Sequence, residues 1–248
     1  MAKNNAALRA VSAPGLAESQ QPSGVGGCRS CAIRAMCLRP RDASVVCLPG
    51  LKAARADCHL VRAGDPCEQY CLPRSGALKA YRNTPDGREQ VMGFYLPGEL
   101  AGLDGLADGR SQWNLVTLEA SSLCTVTHKN LIEAAGQVPE LLNSLMRRLS
   151  GDMLKAADLA TGSSAEARLA GFLIDIARRI GDACLDGAVF CLPMSRQDIA
   201  SYLALAPETI SRLFARLRDD GLIDVDRKRL RILDHPGLSQ IAQTDLAA

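Results

Sequence analysis

The stretch 194–217 constrains this chain more tightly than any other, because its apolar spacing, single proline and capping residues together read as helix, short turn, helix. Ser195 is a good N-cap. Asp198, three residues on, resembles a capping box with Asp in place of Glu or Gln, and its carboxylate suits the positive end of a helix. Ile199, Ala200 and Leu203 form the inner face of the first helix, Ala204, Leu205 and Ala206 make the turn, and Pro207 falls in the first turn of the second helix, where proline is tolerated. Helical period then buries Ile210, Leu213, Phe214 and Leu217 and leaves Glu208, Ser211, Arg212 and Arg216 facing outward. Side chains near the start of such a second helix reach base edges in a DNA major groove, where Arg pairs bidentately with guanine and Glu accepts from cytosine N4. The competing reading is a structural three-helix core. Gly221 ends the second helix, and 222–225, the basic tip 226–229 and 230–233 predict a β-hairpin, so the whole reads as a winged helix. Arg227, Lys228 and Arg229 at the tip either meet phosphates or form an ordinary solvated turn.

A chain of 248 residues is long enough for two domains, each with its own core, and a connector. Its formal net charge of +2 is only mildly basic, so any DNA site must be local. Residues 1–27 mix Ala, Ser, Gly, Gln and Pro without period and read as a disordered arm. From Asp57 to Lys129, short apolar runs alternate with turn signals at 62–65, 74–76, 85–87 and 96–98. Strands at 78–81, 90–95, 113–119 and 123–127 predict an antiparallel barrel or jelly roll. A helix follows over 138–161, with Leu142, Leu145, Leu149, Met153 and Ala156 in a narrow stripe that suits either a two-fold helix pair or packing on the helix's own barrel. Gly162, Ser163 and Ser164 break it, and a helix over 165–180 opens the second domain. The expected division is 28–137, a strand-rich domain with the segment before it, for which the cysteine motif and the resemblance given below imply cluster binding and sensing; 138–164, a dimerisation helix and hinge; and 165–248, a DNA-binding domain. No signal peptide and no run of about 18 apolar residues is present, which predicts a cytoplasmic protein with no membrane partner.

Ten cysteines are many for such a chain. Cys28-x2-Cys31-x5-Cys37 stands in a segment with few bulky apolar residues, which points to ligation rather than burial. Spacing alone leaves an iron–sulfur cluster, zinc or unligated thiols open. Either metal centre needs a fourth ligand from Cys47, Cys58, Cys67, Cys71, Cys124, Cys184 or Cys191. A redox enzyme using Cys28 and Cys31 is the reading from another class, but a Cys-x2-Cys pair of that kind follows a strand, and here Gly26 and Gly27 precede it. Without a Ser–His–Asp grouping, phosphate loop or paired carboxylates, and with His59, His128 and His235 scattered, the chain is not expected to be an enzyme.

From about Cys28 onward the chain resembles the CRP/FNR superfamily, and within it the oxygen-sensing fumarate and nitrate reduction regulators (FNR). The matching motifs are the Cys28, Cys31, Cys37 triad, Arg74-Ser-Gly76, Glu89-Gln-x2-Gly-Phe94, Leu118-Glu119 with Cys124, and Glu208-Thr-Ile-Ser-Arg212. The resemblance implies an α+β fold: an N-terminal cyclic-nucleotide-binding-like β-roll, a long dimerisation helix and a C-terminal winged helix-turn-helix. It selects Cys124 as the fourth ligand, so that Cys28, Cys31, Cys37 and Cys124 would hold a [4Fe-4S] cofactor whose loss in oxygen ends DNA binding. It further implies a homodimer on palindromic double-stranded DNA with TTGAT-type half-sites, read by Glu208, Ser211 and Arg212, and a turn at 83–88 that contacts RNA polymerase. The chain departs from the family pattern in a shorter stretch between Cys37 and Asp65 with added Cys47 and Cys58. It also has Ala156 where an acidic residue is looked for, and Arg88 in a turn that is acidic in the family. Two alternatives stay beside this reading: a cAMP-type regulator using Gly98-Glu99 and Arg110-Ser111, and a zinc-bound DNA-binding protein that senses nothing.

Overall fold

The computed structural model describes residues 31–34, 50–160 and 163–243. The arm 1–27 and the expected ligands Cys28 and Cys37 lie outside the described residues. The chain divides into two compact units, one within Met1–Gly87 and Met92–Arg148, the other within Arg88–Val91 and Leu149–Ala248.

The first unit is built on seven strands, of which β5 has its first three residues in the other unit: β1 (Gly50–Ala54), β2 (His59–Val61), β3 (Gln69–Ser75), β4 (Leu78–Asn83), β5 (Glu89–Tyr95), β6 (Asn114–Thr117) and β7 (Ser121–Thr127). They form a three-stranded sheet in the order β1-β7-β3 and a four-stranded sheet in the order β2-β6-β4-β5. Because successive strand residues point to opposite faces, β7 serves two cores. Leu123 joins Cys71, Leu60, Leu78, Ala80 and Leu115 in a cluster supplied by both sheets. Val126 and Cys124 face the other way, onto Tyr70, Leu72, Ile33 and the helices that follow. Pro73 in β3 is compatible with the ladder because β3 is an edge strand of its sheet and its register shifts between Pro73 and Ser75.

Helix α1 (His128–Gln137) starts where the Thr127 hydroxyl accepts the Asn130 N–H, and lays Leu131, Ala134 and Ala135 on the second cluster. Helix α2 (Pro139–Ala160) begins at a proline and continues that contact through Leu141 and Leu145. Its bounds agree with the expectation from the stripe.

In the second unit, Ser164 caps α3 (Ala165–Ile180), whose side chains Leu169, Phe172, Leu173 and Ile176 are buried at helical spacing and whose last turn carries Arg178 and Arg179 against the negative helix end. There follow β8 (Phe190–Cys191), α4 (Arg196–Tyr202), α5 (Pro207–Asp219), β9 (Ile223–Asp226), β10 (Arg229–Ile232) and α6 (His235–Gln243), with the strands ordered β8-β10-β9. The α+β architecture expected from the sequence is the one found. No helix among the described residues is long and apolar enough to cross a membrane.

Candidate nucleic-acid interface and thiol site

The helix pair α4–α5 is fixed from both ends. Ser195 accepts the Asp198 N–H at 3.0 Å and the Asp198 carboxylate accepts the Ser195 N–H at 3.0 Å, so the expected capping box is complete with Asp in the fourth place. Ala204 turns the chain with φ +53°, a conformation no sequence signal announced. Ile210, Phe214 and Leu217 bury one face of α5. Glu208, Ser211, Arg212 and Arg216 are all exposed on the other.

These four differ in what they touch. The side chains of Glu208 and Arg212 have no hydrogen bond or ion pair among the described residues. The Ser211 hydroxyl donates back to the Pro207 carbonyl at 3.0 Å. Arg216 is held at 3.1 Å by Glu166 of α3 and at 3.7 Å by Asp220, which makes it a strut between α3 and α5 as well as a surface cation. At the wing tip, Arg227 takes φ +54° in a two-residue turn and stands exposed, as does Arg229. Lys228 is exposed but donates to the Pro193 carbonyl at 3.1 Å, so it ties the wing to the segment between β8 and α4.

Sequence reasoning missed Arg196. Its guanidinium lies 3.2 Å from the ring centroid of Phe214, and its Nη1 is buried without a hydrogen-bond partner among the described residues. It packs the first helix on the second through a cation–π contact. The only sequence cue was an arginine directly after the N-cap.

The thiol site lies in the first unit. Cys31 opens a short turn in which the Arg34 N–H donates to the Cys31 carbonyl at 3.0 Å and the Ala32 N–H donates to the Gly98 carbonyl at 2.8 Å. Ile33 is fully buried and anchors the segment, although the sequence there looked poor in apolar groups. Cys124 lies on β7, opposite Leu51 of β1 and Leu72 of β3. Cys31, Cys67 and Cys124 are half-buried and each packs against the same apolar cluster. Burial, reinforced by the Asp104 carboxylate, pushes the Cys67 thiol up despite a hydrogen bond with Tyr70. Tyr70 in turn is 2.7 Å from His128 Nδ1. Cys71 is buried in the other cluster, where desolvation pushes its thiol up to about 11 against the pull of Lys52. Such a thiol stays protonated at neutral pH and serves as core. Among the described residues no three His, Cys, Asp or Glu side chains converge as a metal site.

The cyclic-nucleotide alternative needs Glu99 and Arg110 to meet a ligand. Glu99 instead accepts the Leu96 N–H at 2.8 Å and pairs with Arg148, while Arg110 donates to the Gly64 carbonyl at 2.7 Å. A small cavity inside the roll is lined by Tyr95, Asp104, Ser111, Trp113 and Leu115 among others. The Asp104 carboxylate accepts the Gln112 and Trp113 N–H groups there, and its charge opposes a phosphate.

The family model for a Crp-like helix-turn-helix domain matches residues 167–241, and that for a cyclic nucleotide-binding domain matches residues 51–137. The chain is 34% identical over 224 residues to the transcriptional activator protein FnrA of Stutzerimonas stutzeri, covering 87% of this chain and 92% of that protein. It is 36% identical over 186 residues, 74% of each chain, to the fumarate and nitrate reduction regulatory protein of Escherichia coli strain K12. Among solved structures, FixK2 from Bradyrhizobium japonicum matches with a TM-score of 0.69 at 27% identity, covering 79% of this chain and 98% of that one. The family and these relatives are transcription regulators rather than enzymes. With both domains matched and the helix-turn-helix geometry in place, the chain belongs to the CRP/FNR superfamily of DNA-binding transcription regulators.

Proposed function

We propose that this regulator is oxygen-responsive and binds palindromic DNA as a homodimer while a [4Fe-4S] cluster held by Cys28, Cys31, Cys37 and Cys124 is intact. The observation that carries this reading is that Cys31 and Cys124, far apart in sequence, are half-buried against one apolar cluster, with Ile33 anchoring the segment beside them. A soft thiolate donor set in partly apolar surroundings suits such a cluster. When bound, the group supplies a sulfide-bridged iron centre that oxygen dismantles.

The chain's own residues do the rest. Ile33 and the hydrogen bond from Ala32 to Gly98 hold Cys31 against the roll. The strand pairs on either side of β7 fix Cys124. Leu142, Met146 and Met153 of α2 are exposed, which supports a second copy of the chain as their partner. In each protomer Glu208, Ser211 and Arg212 would read a TTGAT-type half-site, with Arg216 bracing the helix that carries them. The division into arm 1–27, sensor 28–137, dimerisation helix and hinge 138–164 and DNA-binding domain 165–248 is part of this proposal, as are a cytoplasmic location and contact with RNA polymerase.

The test is the absorption spectrum and the iron and sulfide content of protein purified without oxygen, repeated after air. About four irons and four sulfides per chain that are lost in air, and are absent from Cys124→Ser, are the expected result. A colourless protein containing zinc or no metal would overturn the reading and leave a DNA-binding regulator with another signal.

A further inference from the structure

The turn at 96–99 touches both the Cys31 segment and helix α2. The turn closes on itself: the Glu99 N–H donates to the Leu96 carbonyl at 3.1 Å and the Leu96 N–H donates to Glu99 Oε2 at 2.8 Å. On one side Gly98 accepts the Ala32 N–H at 2.8 Å, one residue from Cys31, while the Gly98 N–H donates to the Pro73 carbonyl at 2.8 Å. On the other side Glu99 Oε1 stands 3.5 Å from Arg148 Nη1, in a pair whose side chains are only 16% and 22% exposed. The Arg148 guanidinium also lies over the Tyr95 ring, 5.4 Å from its centroid. Hydrogen bonds and an ion pair thus run without a gap from the thiol segment to α2.

Arg148 shares a stripe of α2 with Leu141 and Leu145, which pack on the roll. Leu142 and Met146 occupy the adjacent stripe, exposed. Fixing Arg148 therefore fixes the rotation of the helix about its axis, and with it the direction in which the exposed stripe points. Truncating either member of a pair this sheltered from water breaks the contact that joins the turn to the helix.

We infer that the turn at 96–99 is a latch through which the Cys31 segment and α2 bias one another, with the Arg148–Glu99 pair as its helix-side catch. The inference relies on the iron–sulfur reading only for the identity of the signal. Coupling is reciprocal, so a change at Arg148 must be felt at Ala32. The experiment is amide hydrogen exchange on the full-length protein, as purified without oxygen and again after chelation, comparing wild type with Arg148→Met and the near-isosteric Glu99→Gln. Both variants are expected to raise exchange at Ala32 about fivefold or more, with Arg148→Lys giving partial rescue. Unchanged exchange at Ala32 in a folded Glu99→Gln protein overturns the latch, even if α2 itself frays in Arg148→Met. Iron and sulfide content of the wild type, measured on the same samples, judges the cluster reading separately. The latch can therefore fail with the cluster present, or stand with it absent.

Discussion

Gly76 shows how single positions set this fold. It takes φ +78°, and a Cβ there would fall on the Ser121 hydroxyl and 2.9 Å from the Ala120 carbonyl oxygen. Gly76→Ala combines left-handed strain with a backbone clash and is expected to cost about 2–4 kcal/mol, read as a lower urea midpoint at unchanged slope. The four exposed residues of α5 separate by a different measurement. Arg212→Ala should weaken specific DNA binding by about 1–3 kcal/mol and leave thermal stability alone, since its side chain has no protein partner among the described residues. Arg216→Ala should instead lower the melting temperature, by an amount corresponding to no more than about 1 kcal/mol, because it releases Glu166. If Arg216→Ala leaves melting unchanged and costs as much DNA affinity as Arg212→Ala, its role as a strut is wrong. Sequence reasoning placed all four on one face because period determines the face. It could not separate reader from strut, because Glu166 lies on another helix and no spacing rule connects them.

Elements were legible in proportion to their periodicity. The helices α2, α3 and α5 and the cap at Ser195 follow from apolar spacing and capping chemistry, and the structure puts them where that spacing predicts. The strands between Gly50 and Ser75 were not foreseen. β2 has three residues, and β3 contains a proline that argues against a strand until its edge position and register shift are known. Helix α1 follows β7 without a loop, and its buried side is mostly alanine, too weak a stripe to stand out. The electrostatics of α3 yield a pH prediction. Burial of Asp175 opposes its ionisation, yet Arg179 at 3.0 Å and Lys155 of α2 at 3.0 Å together hold its carboxyl below the usual carboxylate range. A depressed carboxylate contributes stability that is fully present above its unfolded pKa, about 4, and is lost as pH falls through the lower folded value. Asp175→Asn should therefore be less stable than wild type at pH 7, with the difference shrinking below about pH 4. Denaturant titrations at the two pH values would show it. A difference that persists undiminished at pH 3 would mean that the aspartate acts through packing rather than charge.

At the scale of the whole molecule, the unspent feature is the outer stripe of α2. Leu142, Met146 and Met153 are 48%, 59% and 75% exposed, and with Leu149 their spacing of four, three and four residues is the spacing that paired helices use. A lone chain gains nothing by presenting such a seam to water, whereas a two-fold copy would bury it against itself. Two copies would also bring two α5 helices to one palindrome, so that self-association and DNA affinity are linked through mass action. Met153→Glu and Met146→Glu place like charges across the seam and should turn a dimer into a monomer at micromolar concentration in sedimentation equilibrium. DNA affinity should fall in step and recover partly as protein concentration rises, while the isolated thermal transition of the second unit's core stays near its wild-type position. Because both methionines are exposed, loss of DNA binding without loss of the dimer would show that the seam faces something other than its own copy. Loss of both together would tie the half-site reading of Glu208 and Arg212 to the pairing of α2.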